Sequence, residues 1–256
     1  MKIASWNVNS LRVRLGQVLS WLESSKPDVL GLQETKLADE KFPQKEFSEL
    51  GYECAFSGQP AYNGVALLSR SPILDVRTEL EAFDDPQRRV LAANTGSVRV
   101  MNLYVPNGES VDSEKYLYKL NWLAALGVEL RRELGRHDRV VVMGDFNIAP
   151  EDRDVHDPVA WEGHVLCSPK ERAALTELLA LGLDDTFRLF AQPQNRYSWW
   201  DYRAGAFRRN RGLRIDLILA SKALSERCTA SAIDPAPRRL ERPSDHAPVL
   251  AEFDVR

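Results

Sequence analysis

The sequence predicts an α/β (α+β) fold built on mixed β-sheets, and three observations carry that expectation. Strand-like runs occur early, in the middle and late in the chain. Several follow one another with no helix between, so the pattern is not a βαβ alternation. Two sheets packed face to face, with helices outside, account for both the paired strands and the helical stretches.

Taken in order, residues 3–8 read as a strand, and Leu11, Leu15, Val18, Leu19 and Leu22 fall at helical spacing before Pro27 marks the exit. Residues 28–34 form a second strand that stops on the Glu34 carboxylate, and residues 64–69 a third. Residues 89–94 and 97–105 resemble a hairpin about Thr95-Gly96. A long helix over 112–134 is built on Tyr116, Leu120, Leu123, Leu126, Leu130 and Leu134. Val140 to Met143 is a central strand, and a helix over 169–181 follows, with Ser168 as N-cap and Pro169 in its first turn. Residues 213–220, 228–233 and 247–253 supply the last strands. No low-complexity linker and no repeat interrupts the chain, which predicts one domain, 1–256.

A composition of 44% hydrophobic and 28% charged residues, with no long apolar run, is that of a soluble globular protein and gives no sign of a membrane partner. The start, Met1 to Asn7, enters a strand pattern without a charged-then-apolar signal segment, so the expectation is a cytoplasmic protein. Cys54, Cys167 and Cys228 are widely separated and form no Cys-x-x-Cys pair, which argues against a disulfide framework or a zinc site. A net charge of -3 carries no global signal for nucleic acid, so any such surface must be local.

The chemistry lies where strands end. Residues 140–147, Val-Val-Val-Met-Gly-Asp-Phe-Asn, stop an apolar run on a carboxylate and a carboxamide two residues apart, which on an extended backbone share one side. Alone, Gly-Asp-Phe-Asn fits equally well a strand capped by an Asx turn. Similar strand ends or turns recur at Asn7 and Asn9, at 33–36, at 104–108 and at 244–248. Asp216 adds an acid inside an apolar strand, where it needs either a neighbouring Arg or another partner. His246 is the only one of four histidines set between an acid and a turn-forming Ala-Pro; His137, His156 and His164 lie in polar surroundings. Oxygen and amide groups without Cys or clustered His favour a hard cation, Mg²⁺ with Mn²⁺ as substitute, and that donor set suits phosphodiester hydrolysis.

Seven stretches, in this order, resemble the exonuclease III type of abasic-site endonuclease in the endonuclease/exonuclease/phosphatase superfamily. They are Ser5-Trp6-Asn7-Val8-Asn9-Ser10-Leu11-Arg12, Leu32-Gln33-Glu34-Thr35-Lys36, Tyr62-Asn63-Gly64-Val65-Ala66, Asn102-Leu103-Tyr104-Val105-Pro106-Asn107-Gly108, Gly144-Asp145-Phe146-Asn147-Ile148-Ala149, Gly212-Leu213-Arg214-Ile215-Asp216 and Ser244-Asp245-His246-Ala247-Pro248. The resemblance implies a four-layer sandwich of two packed mixed sheets flanked by helices. It implies that Glu34 is the chief metal ligand, with Asn7, Asp145, Asn147, Asp245 and His246 around the ion. Asp145 would activate water, Asn147 would hold the phosphate, and Tyr104 would bond the phosphate or assist the leaving oxygen. His246, paired with Asp216, would contact the scissile phosphate; either Asp145 or His246 is the base. Two departures stand out: Asn9 sits where some relatives carry Asp, and Ser10 where Gly is common.

Between 197 and 211, aromatics and arginines alternate, a composition suited to phosphates and unstacked nucleotides or, equally, to a packed core beside a solvated loop. With the resemblance, the partner is double-stranded DNA carrying abasic sites or 3′ ends, bound by a monomer. Lys36, Asn107, Arg203, Arg208 and Arg209 would contact it, and Trp199, Leu213 and Ile215 would line a pocket for a flipped-out, base-free sugar. Arg12, Arg88, Arg89, Lys115 and Lys119 would extend phosphate contact. Leu166 falls at the expected rim of that pocket, where its bulk would obstruct an internal sugar and leave 3′-end processing intact. The expected activity is 3′-5′ exonuclease on duplex DNA, abasic-site endonuclease, or both, with removal of 3′ blocking groups. Two other readings share the motifs: a phosphoinositide or sphingomyelin phosphodiesterase, and a DNA-end-binding module without catalysis.

Overall fold

The computed structural model describes residues 1–255. Among them, twelve strands make two six-stranded sheets. The first sheet takes β1 (Lys2–Asn7), β2 (Val29–Gln33), β3 (Glu53–Ser57) and β4 (Val65–Ser69) from the start of the chain. It adds β11 (Cys228–Ile233) and β12 (Val249–Phe253) from the end, in the order β11-β12-β1-β2-β4-β3. The second sheet holds β5 (Ile73–Arg77), β6 (Val90–Thr95), β7 (Val98–Tyr104), β8 (Val140–Asp145), β9 (Leu183–Asp185) and β10 (Asp216–Ser221), in the order β5-β6-β7-β8-β10-β9. Only two pairs are parallel, β1 with β2 and β7 with β8. Their crossovers are α1 (Leu11–Ser25) and, after α2 (Gln44–Glu49), the long α3 (Glu114–Arg136). The remaining helices are α4 (Pro158–Trp161), α5 (Pro169–Leu179) and α6 (Lys222–Ser225).

Period-two alternation distributes the strands' side chains between three apolar layers. Ile3, Val29, Leu67, Val100, Val141 and Met143 meet between the sheets. Ala4, Trp6 and Leu30 turn outward onto Val18, Trp21 and Leu22 of α1. Val140, Val142, Leu217 and Leu219 turn the other way, onto Trp122, Leu126 and Leu130 of α3 and Leu175 and Leu178 of α5. This is the expected four-layer sandwich. One buried polar tie crosses the inter-sheet layer: Gln33 Nε2 donates to Asn102 Oδ1 at 2.6 Å, and Asn102 Nδ2 donates to the carbonyls of Leu32 and Ala66, each at 2.9 Å.

The elements follow the sequence expectation closely, with local differences. Thr95 pairs with Val98, so the hairpin turns on Gly96-Ser97 rather than Thr95-Gly96. The strand expected over 213–220 begins only at Asp216, because Leu213 instead bridges Val155 and Trp199. The predicted N-terminus of the helix after 168 is formed by a full capping box, Ser168 with Glu171. Strands β3, β5 and β9 were not expected, and each lies at a sheet edge.

The topology places the polar strand ends together. Parallel β1 and β2, and parallel β7 and β8, finish at one rim of the sandwich, where Asn7, Glu34, Tyr104 and Asp145 emerge. Antiparallel β10 and β12 begin at the same rim, which brings in Asp216 and the segment 244–248.

Candidate active site

Gly144 shows why a strand should end on Gly-Asp here. Its φ is +148°, and a Cβ at this position would lie 1.9 Å from the Leu103 carbonyl oxygen of the neighbouring strand. Gly144→Ala should therefore destabilise the fold by on the order of 3 kcal/mol or more, read as a fall in the denaturation midpoint. The close approach of β7 and β8 sets Tyr104 opposite Asp145, and the β8·β10 register sets Asp216 opposite Asp145 on the other side.

Asp145 is the centre of the cluster and is almost wholly buried, 1% exposed. Its Oδ2 accepts from Asn7 Nδ2 at 2.9 Å, and the same amide group donates to Glu34 Oε1 at 2.8 Å. Its Oδ1 accepts the Asn147 main-chain N–H at 2.9 Å, and Asn147 Nδ2 donates to Asp145 Oδ2 at 3.3 Å. Asn107 Nδ2 in turn donates to Asn147 Oδ1 at 3.1 Å. Burial, reinforced by the Asp216 and Glu34 charges, pushes the Asp145 carboxyl up to about 7 against the pull of His246 and Asn7.

Opposite, His246 Nδ1 faces Asp216 Oδ2 at 2.9 Å, and Nε2 is 3.7 Å from Asp145 Oδ2. Burial opposes charge on this ring, but Asp216, Asp145 and Asp245 outweigh it and push the imidazole up to about 10. The partner of Asp216 is thus a histidine, while Arg214 is engaged by Asp154 and Asp185. Asp216 Oδ2 also accepts from Ser198 Oγ at 2.6 Å. Ser198 carries no sequence signal, because it reaches Asp216 only through the bridge of Trp199 to Leu213. Ser244 likewise carries no sequence signal of its own, yet its Oγ donates to the Asn7 carbonyl at 2.6 Å and accepts the His246 N–H at 3.2 Å. Tyr104 is pushed well above the usual phenol range by burial and by the Glu34 and Asp145 carboxylates, so its hydroxyl stays protonated as a donor.

Two carboxylates converging on one point, in a site lined by oxygen donors, fit a hard divalent cation. Ligand atoms of Glu34, Asp145 and His246 all lie within 4.8 Å of one another. Asp245 stands outside this trio: its Oδ1 accepts from Asn9 Nδ2 at 2.9 Å and its Oδ2 from Trp199 Nε1 at 3.0 Å. Asn9, at φ +42°, also accepts from Lys36 Nζ, which pairs with Glu34 at 2.8 Å. The departure from Asp at this position thus supplies an amide that bridges a lysine and a carboxylate.

The expected DNA-facing residues divide. Arg203, Arg208, Arg209 and Asn107 are exposed, and Lys36 is half-buried. Trp199 is half-buried beside Asp245, whereas Trp200, pointing the other way, is core. Leu213 and Ile215 are buried, packed with Ala149, Val155, Cys167 and Leu166. Leu166 itself is 4% exposed and sits at φ +75°, a left-handed conformation unusual for leucine. Two expected phosphate contacts are corrected. Lys119 is fully buried and paired with Glu171. Arg89 stacks on the Tyr104 ring, 4.7 Å from its centroid, and bonds to Gln87 and the Tyr104 carbonyl. Arg12 and Lys115 are exposed, and Arg88 is half-buried.

Residues 4–246 match the endonuclease/exonuclease/phosphatase family. The chain is 40% identical to exodeoxyribonuclease III of Haemophilus influenzae, over 99% of this chain and 100% of that protein. Among solved structures it superposes on the 3′-5′ exonuclease NExo of Neisseria meningitidis with a TM-score of 0.98 and 50% identity, covering 100% of both chains. NExo has also been solved as a 3′ phosphatase bound to product DNA hairpin. An AP endonuclease from Archaeoglobus fulgidus follows at TM-score 0.95 and 42% identity, again over 100% of both.

Proposed function

Because the chain belongs to the endonuclease/exonuclease/phosphatase family, in its exonuclease III and abasic-site endonuclease branch, we propose that it works chiefly at the 3′ ends of duplex DNA. It is a metal-dependent DNA-repair phosphodiesterase, and the finer reading concerns which DNA linkage its cleft admits. The observation that carries it is Leu166. Its buried side chain packs with Leu213 and Ile215, with Trp199 against the same cluster; these are the residues proposed to line the pocket for an internal base-free sugar, which this packing would obstruct. A terminal nucleotide or blocking group approaches from the open side and needs less of that space. The likeness to a 3′-5′ exonuclease at 50% identity supports this preference.

In this reading Glu34 and Asp145, assisted by Asn7, would hold Mg²⁺ or Mn²⁺, which offsets the charge developing on the phosphate oxygens. Asp145, a buried carboxylate fixed by Asn7 and by the Asn147 N–H, would orient the attacking water and take its proton. His246, held as imidazolium by Asp216, donates to a phosphate oxygen rather than serving as the base. Asn147 would help hold the phosphate, and Tyr104, kept as a phenol, would donate to the phosphate or the leaving oxygen. The exposed arginines of 203–209 would track the strand. Three unpaired cysteines are consistent with the proposed reducing cytosol, and no helix of the described residues is long and apolar enough to cross a membrane.

A recessed 3′-end duplex in Mg²⁺ should be shortened to a 3′-OH product. EDTA should stop the reaction, and Mg²⁺ or Mn²⁺ should restore it. Turnover that persists unchanged in EDTA, or hydrolysis of phosphoinositide with no action on DNA, contradicts the reading. Added salt should also cut activity, because each cationic contact to a phosphate releases condensed counterions.

A further inference from the structure

The structure assigns a positioning role to the buried Lys119–Glu171 pair: it holds the phosphate-facing Asn107–Asn147 couple and the Leu166 rim in one register. Both side chains are fully buried, 0% exposed, although they lie 52 residues apart. Lys119 Nζ donates to the main-chain carbonyls of Asn147 at 2.7 Å and of Asn107 at 3.1 Å. Those are the two residues whose side-chain amides bond to each other at the site. The Asn147 N–H, one atom group away from the carbonyl-held plane, donates to Asp145. A shift of either loop would therefore move the amide that faces phosphate and the donor that orients the water-activating carboxylate.

Glu171 extends the same tie outward. Its Oε1, which takes Lys119, also accepts the Leu166 N–H at 3.0 Å. Its Oε2 accepts the Ser168 N–H at 3.0 Å, closing the cap of α5. Leu166 is held at φ +75° by this bond and by the bond from the Ala149 N–H to its own carbonyl, 2.7 Å. A surface pair would serve stability as well as this one; a fully buried pair bonded to two phosphate-facing loops is placed to control geometry.

This inference rests on the nuclease reading above, and its test separates the two. Lys119→Met should lower kcat for 3′ trimming by about 10- to 100-fold, with KM changed less than about threefold. Its melting temperature should fall, because Glu171 is left buried without its partner. Lys119→Met combined with Glu171→Gln removes both charges and keeps the Ser-x-x-Gln form of the cap. That double variant should regain the melting temperature but not kcat. Recovery of kcat together with the melting temperature overturns the positioning role, as does a double variant that cannot fold, since the pair would then serve the fold itself. A wild-type protein silent on DNA instead overturns the nuclease reading.

Discussion

Asp145→Asn is expected to lower kcat by about 10³-fold with little change in KM, and to leave the fold as stable as before or more so. The loss of rate follows from the proposed role: this carboxylate lies between Asn7, Asn147 and His246, where it is proposed to take a proton from the attacking water. The stability sign follows from burial. The folded carboxyl stands near 7 against the ordinary 3.8, so its charge costs stability that is absent below the lower value and complete above the upper. In metal-free protein the asparagine variant should therefore gain more over wild type at pH 8 than at pH 5. Full activity in the variant, or a loss of stability that grows with pH, would show that the carboxylate has another job.

Leu166→Gly should raise nicking at an internal abasic site relative to 3′ trimming by about tenfold or more, the scale at which a pocket gains or rejects a group of a few carbons. The variant removes a buried leucine side chain, at a cost of about 2–5 kcal/mol. Relief of the left-handed backbone at φ +75° offsets about 1–2 kcal/mol of that. A thermal shift measured alongside the two cleavage rates checks both parts. Efficient internal nicking by wild type that the variant leaves unchanged would remove Leu166 from the specificity argument.

How much of this could be read from the residues depends on where each residue's partners lie. Central strands such as β8 announce themselves, because burial on both faces demands an apolar run and the polar stop then stands out. The edge strands β3, β5 and β9 have mixed burial or only three residues, and no periodicity separates them from loop. The strand-end motifs gave the site because β1, β2, β7 and β8 all finish at one rim, an outcome of topology that the motifs' order in the family already implied. Lys119 misled for the opposite reason. Nothing near it in the helix announces a partner, and its burial is explained only by groups distant along the chain, Glu171, 52 residues on, and the carbonyls of Asn107 and Asn147. Ser198 was invisible because its partner, Asp216, is reached through tertiary bridges alone.

The account turns on whether the packed cluster of Leu166, Leu213, Ile215 and Trp199 leaves room for an internal sugar, so the most direct measurement is kcat/KM on two duplexes at one Mg²⁺ concentration. One carries a recessed 3′ end, the other a single internal abasic site. The recessed end should be processed at least about tenfold faster, and EDTA should silence both reactions. Internal nicking that equals or exceeds 3′-end processing would contradict the proposed preference.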